Sequence, residues 1–509
     1  MTQSPPRTVT VDGGPLRLDE VIEVAYRRAR AVPGINLEGR MAPSRRVVED
    51  AVASGTIIYG VTTGFGALST TRVDPAQTRE LQVALLRSHA AGVGDPLPDE
   101  LVRAMLLLRA RTMAQGHSGV RPLLVERYLE FLDRDLLPVV PSQGSVGASG
   151  DLAPFAHLAL PVIGEGFLRS GGHPGPAAAV LRDHGLEPLR LEAKEGLSLL
   201  NGTEGMLAFG ILGLDRARHL AYAADVACAV SVEALRASAR PFLPEIHRLR
   251  SHPGQQASAA FIASLLEGSE IEAAHHDDFV HAVQDAYSLR CAPQVHGAAR
   301  DTLDFAASVF VRELGSVVDN PLVFPETGEI VSAGNFHGQP LAFALDYMAI
   351  AVTELSSISE RRTDRLLDPQ RSDGLPAFLA ARPGLESGYM LAQYTAAALV
   401  AENRVLSHPA SIESIPTSGS QEDHVSMGWG AGRKLLQVLD NAERVVAIEL
   451  LCAAQGVDYR APLRPGAGVD RVHRAIRDRI PTLEGDRVIG SEIDAVAGMI
   501  REGHLRAIA

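Results

Sequence analysis

Apolar residues recur at helical spacing over most of this chain. In 99–116, Leu101, Met105, Leu108 and Met113 fall near a 3.6-residue period and predict one helix. The stretch 212–237 predicts another, long and almost free of breakers, and 339–362, 390–407 and 431–455 extend the series. Helices of about twenty-five residues run about 40 Å, longer than a small domain needs. Small residues on their faces, Ala223-Ala224 and Ala396-Ala397-Ala398, permit close approach in a large bundle. Period-two alternation is scarce, and 8–11 and 57–61 are the best strand candidates. The run 136–141 is interrupted by Pro138 and Pro141, which suits no central strand, and 171–176 reads as a surface loop. The class is mainly α. A soft boundary near Asn201 separates a smaller loop-rich N-terminal region, 1–200, from a long-helix bundle with C-terminal helices, 201–509.

Composition narrows the function classes. A chain of 509 residues that is 46% hydrophobic can bury a large core. Its 48 basic and 61 acidic residues are interspersed and leave a net charge of −13. That balance argues against nucleic acid or an anionic membrane as a main partner. No apolar stretch reads as long enough to span a membrane, and the first residues lack the apolar core of a secretion signal. Cys228, Cys291 and Cys452 are far apart with no paired spacing, so a reducing cytoplasm is expected.

The run from Gly144 to Pro154, Gly-Ser-Val-Gly-Ala-Ser-Gly-Asp-Leu-Ala-Pro, carries the chemistry. Glycine lacks a Cβ, so the Gly150 nitrogen can approach a neighbouring carbonyl closely. Attack on the Ala148 carbonyl closes a five-membered ring, and loss of water there and from Ser149 leaves an exocyclic methylidene. By itself the run is also compatible with a Gly-rich turn or a phosphate-cradling loop, although no Lys-Ser/Thr follows it. The motif resembles the self-processing site of the aromatic amino acid ammonia-lyases and aminomutases. Their prosthetic group is 4-methylideneimidazole-5-one (MIO).

Other blocks match that family in order. Tyr59-Gly60-Val61-Thr62-Thr63-Gly64-Phe65-Gly66 resembles its catalytic tyrosine loop, which makes Tyr59 the expected base. A phenol near pKa 10 needs tuning by positive charge or hydrogen bonds to serve so. In Ser88-His89, the family's phenylalanine lyases tend to carry Phe-Leu and its tyrosine lyases His-Leu, whereas Ser-His is similar to its histidine lyases. A polar pair can hydrogen-bond an imidazole where Phe-Leu offers nothing. Asn201-Gly202-Thr203 matches a family segment and makes Asn201 a candidate binder of amine or carboxylate; Glu204 stands where Gln is more usual. In the block from Gln284 to Val295, Gln284 joins the substrate site, Tyr287 flanks the MIO, and Arg290 can hold a carboxylate bidentately. Phe336, within Gly334-Asn335-Phe336-His337-Gly338, is an expected pocket wall. Glu422 matches the glutamate that histidine lyases set against the substrate ring. The departures are Val61-Thr62, where Ile-Asn is common, and Ser418-Gly419-Ser420 before Gln421.

The resemblance runs from about Val11 to Gly456 and implies a long-helix bundle of the fumarase/aspartase-like type. It implies elimination of ammonia from L-histidine to trans-urocanate, with Ala148, Ser149 and Gly150 forming the MIO, a small amino acid as partner, and a homotetramer whose sites draw on three subunits. A tyrosine lyase or a 2,3-aminomutase of the same family is the alternative, and an MIO-free helical scaffold is the alternative of another class. Glu422-Asp423-His424 and His275-His276-Asp277-Asp278 look like metal ligands, but adjacent helical residues point apart, so no metal is expected.

Overall fold

A computed structural model describes residues 7–275 and 284–508. Helices dominate the described residues, and the strands form four small sheets. The predicted helices are present as Asp99–Ala114, Glu204–Ala234, Gln339–Leu367, Met390–Leu406 and Gly428–Asp458. The second begins eight residues ahead of 212. A further helix, Ala292–Glu313, has no counterpart in the sequence pattern above.

Two compact units interleave along the chain: Met1–Leu212, Ala307–Leu345 and Pro409–Arg433 form one, and the remaining residues the other. In the first unit, Asp99–Ala114 is buried all round from Leu101 to Ala114, which makes it a core helix rather than an amphipathic surface one. It packs against Pro122–Asp133 and Leu18–Ala25. Leu18–Ala25 is also the crossover joining the parallel strands Arg7–Val11 and Ala29–Pro33, a connection that parallel pairing requires. In the second unit Ala223, Ala224, Ala227, Cys228 and Ala229 are fully buried. A Cβ on Gly456 would lie 2.7 Å from that of Ala234, so the small residues do set close helix contacts.

Two expectations need correction. Residues 57–61 form no strand: the Thr62 hydroxyl takes the Ile58 N–H at 2.8 Å and the Thr63 hydroxyl the Gly60 N–H at 3.1 Å, so side chains replace a strand partner. Residues 171–176 are not simply loop, because His173–Pro176 pairs with Phe167–Ser170 around a Gly171-Gly172 turn in which both glycines have positive φ. Among the described residues one helix, Gln339–Leu367, is long and apolar enough to cross a membrane, and two thirds of its most apolar part is buried within the protein, as in a core helix.

Candidate active site

The Ala148-Ser149-Gly150 run sits at the entrance to helix Leu152–Ala159. Ser149 has φ +52° and Gly150 φ +82°, so the chain is bent left-handed at two successive residues. For serine that conformation costs energy and persists only where the surroundings enforce it. Here Gly202 enforces it: its N–H donates to the Ser149 carbonyl at 3.3 Å, and its carbonyl accepts from the Asp151 N–H at 2.9 Å. A Cβ on Gly150 would overlap the Gly202 carbonyl, so only glycine fits. Ala148 and Gly150 are buried and Ser149 is half-buried. Tight bend, absent Cβ and a hydroxyl on the middle residue are the features self-cyclisation demands, and the residues present fit an MIO.

Asp151 occupies the N-cap position, but its carboxylate accepts from the Met206 N–H at 2.8 Å instead of capping its own helix. Burial pushes its pKa well above the usual carboxylate range, and Glu204 adds to the shift. Asn201 is buried, and its side-chain amide donates to the Asn320 carbonyl at 2.8 Å.

Tyr59, His89 and Glu422 come together in the same unit. His89 ends helix Thr78–His89, with Nδ1 2.9 Å from the Leu85 carbonyl and 3.1 Å from the Ser88 hydroxyl. Phe65 stands edge-on to both Tyr59 and His89, with ring centroids 6.3 Å apart in each pair. Glu422 is held by Thr417, whose hydroxyl donates to Oε2 at 2.9 Å. Burial raises the Tyr59 pKa above its ordinary 10.0 and Glu422 adds to the rise, while the Gly66 N–H, donating to the phenol oxygen at 3.0 Å, opposes it. The tuning group the sequence called for is thus a backbone amide, and burial outweighs it. His89 is pushed below its ordinary pKa by burial, against a smaller upward pull from the Leu85 carbonyl and Glu422.

Backbone bonds tie these groups to the tripeptide's surroundings. Strand Val93–Pro96, just after His89, pairs with Pro141–Gln143, just before Gly144. The Met427 N–H donates to the Val146 carbonyl at 3.0 Å, which joins the Glu422 segment to the same run. His337 stacks on His424 at 5.9 Å, which sets the turn bearing half-buried Phe336 against that segment.

Gln284, Tyr287 and Arg290 belong to the second unit. Gln284 is exposed, and Tyr287 is 71% exposed with the Arg290 guanidinium 4.6 Å from its ring centroid. Arg290 Nε is buried without a hydrogen-bond partner. Behind this turn Arg362 donates to the Ser288 carbonyl at 3.2 Å and is itself held by Glu449 at 2.5 and 2.8 Å. Of the residues that look like metal ligands, His276, Asp277 and Asp278 lie outside the described residues.

Sequence reasoning missed Thr417 and Arg362, and gave no role to Gly202 and Phe65 although both stand inside the quoted motif blocks. Ser418, whose hydroxyl accepts from the Ala67 N–H at 3.2 Å, lay in a departure from the family pattern.

This fold and site define an aromatic amino acid lyase: the profile of that family matches residues 16–478, and the chain belongs to it. Among individual proteins, the chain is 52% identical to a histidine ammonia-lyase of Gloeobacter violaceus, covering 98% of this chain and 96% of that one. It superposes on the crystal structure of histidine ammonia-lyase from Trypanosoma cruzi with a TM-score of 0.90 and 44% identity, covering 98% and 94% of the two chains. With tyrosine aminomutase from Streptomyces globisporus the TM-score is 0.93 at 40% identity, covering 98% of each.

Proposed function

We propose that this chain is a histidine ammonia-lyase, eliminating ammonia from L-histidine to give trans-urocanate. The observation that carries this reading is the grouping of Glu422 with His89 and Tyr59. Glu422 acts electrostatically on both His89 and Tyr59, and a carboxylate beside a neutral imidazole suits a substrate ring that presents N–H, whereas a phenyl ring offers neither of them a hydrogen bond.

Ala148, Ser149 and Gly150 form the MIO, which supplies an electrophilic carbon that no ordinary side chain offers. Tyr59, as the phenolate, removes the β-proton at its phenol oxygen, and the Gly66 amide stabilises that phenolate before it takes the proton. His89 and Glu422 orient the imidazole, and Phe336 walls the pocket. Asn201, its Nδ2 committed to Asn320, offers Oδ1 to the substrate amine. Arg290 holds the carboxylate and Tyr287 lies along the reacting group, with Gln284 beside them. The chain assembles as a homotetramer that completes its sites from neighbouring subunits. An apolar groove of 590 Å³ in the second unit, lined by half-exposed Phe305, Tyr347 and Ile350, supports such assembly. Three free cysteines are in keeping with a reducing cytoplasm.

The test is to incubate the purified protein with L-histidine, L-tyrosine and L-phenylalanine and follow each acrylate's ultraviolet absorbance. Urocanate formed well ahead of the other products supports the reading. Preferred coumarate, or a β-amino acid, transfers it to the tyrosine lyase or aminomutase alternative.

A further inference from the structure

Behind the Asn201-Gly202 peptide lies a group of four fully buried charges. Arg109 reaches it from the core helix Asp99–Ala114, Glu204 from the start of Glu204–Ala234, and Lys194 and Asp319 from adjoining turns. Arg109 Nη1 donates both to the Asn201 carbonyl and to Glu204 Oε1, the latter at 2.8 Å. Lys194 donates to Asp319 at 3.2 Å, and Asp319 lies 4.0 Å from Arg109 Nη2. Arg109 Nε has no hydrogen-bond partner. A buried ion pair that leaves a donor unmet is a poor source of stability, because desolvation offsets most of its attraction. What such a pair can do is fix a geometry.

The geometry it fixes is that of the peptide which bends the tripeptide. A peptide unit is planar, so gripping the Asn201 carbonyl also sets the direction of the Gly202 N–H at its other end. That N–H donates to the Ser149 carbonyl at 3.3 Å. A charged donor on the carbonyl also polarises the unit and strengthens its N–H as a donor. We propose that the Arg109–Glu204 pair is a positioning device for self-cyclisation, orienting the Asn201-Gly202 peptide so that Ser149 stays bent and the Gly150 nitrogen faces the Ala148 carbonyl. This rests on the MIO reading above.

The step balances within the chain. The Gly150 nitrogen bonds to the Ala148 carbonyl carbon. The first water carries away that carbonyl oxygen with the Gly150 and Ser149 amide protons. The second carries away the Ser149 hydroxyl with its Cα proton. Neither Arg109 nor Glu204 touches a reacting atom. Their part is complete once the peptide is set.

The readout is intact mass of the folded chain, sampled at intervals after a short pulse of expression, with thermal melting recorded in parallel. Wild-type protein should be lighter than its sequence by two waters; an unmodified wild-type mass would remove the MIO reading itself, and the inference with it. Arg109→Lys keeps the buried charge but loses the planar fork that serves two acceptors. Glu204→Leu removes the acceptor that aims Arg109. Both should mature at least tenfold more slowly and retain a fraction at the unmodified mass. Glu204→Gln keeps an acceptor oxygen and should mature as wild type. Wild-type maturation in folded Arg109→Lys or Glu204→Leu would overturn the inference, as would a defect in folded Glu204→Gln equal to that of Glu204→Leu. Should Glu204→Leu fail to fold, the contrast between Arg109→Lys and Glu204→Gln decides the matter alone.

Discussion

The tyrosine loop and the tripeptide junction lie in one unit and are held in opposite ways. Around Tyr59 the backbone amides of Ile58, Gly60, Gly66 and Ala67 are given to side-chain hydroxyls, those of Thr62, Thr63, Tyr59 and Ser418. Ile57 and Leu68 at its ends are 56% and 64% exposed. Each such bond contributes about 1 kcal/mol net; those of Ile58 and Gly60 are buried, whereas that of Ala67 is exposed to water, so the loop opens most cheaply at its Ala67 end. Around Gly150 the amides pair with Gly202 of a second buried segment, which is gripped in turn by a fully buried arginine. Opening there would expose charge and an unmet donor together. The contrast matches two demands: a substrate must pass the base, whereas a strained bend must not relax.

The largest effect should come from the rigid side. Ser149→Ala removes the hydroxyl that leaves as water, and Ala is a poorer occupant of φ +52° only in lacking a polar side chain. Intact mass should show no loss of two waters, and turnover should vanish while the melting temperature stays close to wild type. Full turnover in this variant would end the proposed chemistry.

On the side of the tyrosine loop, Tyr59→Phe keeps ring volume and deletes the ionisable group. The expected loss is about 10²–10⁴-fold in kcat, with the dehydrated mass retained because maturation needs nothing from this loop. The pH profile sharpens the point. The base is the phenolate, and the phenol titrates above its ordinary 10.0. Log kcat/KM of the wild type should therefore climb with pH through the neutral and mildly alkaline range. His89 titrates below its ordinary 6.5, so its imidazole is already neutral there and adds no slope above that pH. In Tyr59→Phe the alkaline climb should disappear. A parallel climb in both proteins would assign the base elsewhere, with Tyr287 next in line.

Selectivity should yield a smaller change. Replacing Ser88-His89 by Phe-Leu, or Glu422 by Gln, should lower kcat/KM for histidine by about 10²-fold or less, mainly through KM. The double replacement should also lift phenylalanine turnover above its background. Unchanged histidine kinetics in both would detach these residues from the substrate ring.

The two regions also differ in how far the sequence disclosed them. The long helices were legible because apolar residues at 3.6-residue spacing leave a strong periodic signal, as in Asp99–Ala114. Ala292–Glu313 escaped because Pro293 and Gly297 interrupt its first turns. Residues 57–61 misled because a short apolar run suits a strand and a buried turn equally. Ile58 and Val61 pack into a small cluster with Val48, Ala193 and Val323, and the hydroxyls of Thr62 and Thr63, together with the Val61 and Thr62 amides on the Ile58 carbonyl, decide the backbone. Tyr59, Ser149 and Glu422 were legible as motif residues. Arg109 was not, since an arginine in a helix reads as a solvent-facing charge until a second segment from nearly one hundred residues away closes over it.

The smallest expected effect tests whether the loop's looseness is itself set by one atom. The Ser418 hydroxyl accepts from the Ala67 N–H at 3.2 Å and lies where a Cβ on Gly66 would fall. It therefore joins the loop that carries Tyr59 to the segment in which Thr417 holds Glu422. Ser418→Ala deletes that bond but preserves both Glu422's partner and the Gly66 amide on the Tyr59 phenol. Loss of one exposed hydrogen bond corresponds to about 1 kcal/mol, so kcat/KM should fall by roughly fivefold, with the melting temperature unchanged. Looser docking also predicts faster proteolytic cleavage between Gly64 and Ser69, and protection when a substrate analogue is added. If instead kcat/KM and cleavage both stay at wild-type values, the two segments are held by packing alone. The tyrosine loop would then owe its position to the same kind of burial as the tripeptide junction, and the contrast between them would reduce to the buried charges behind Gly202.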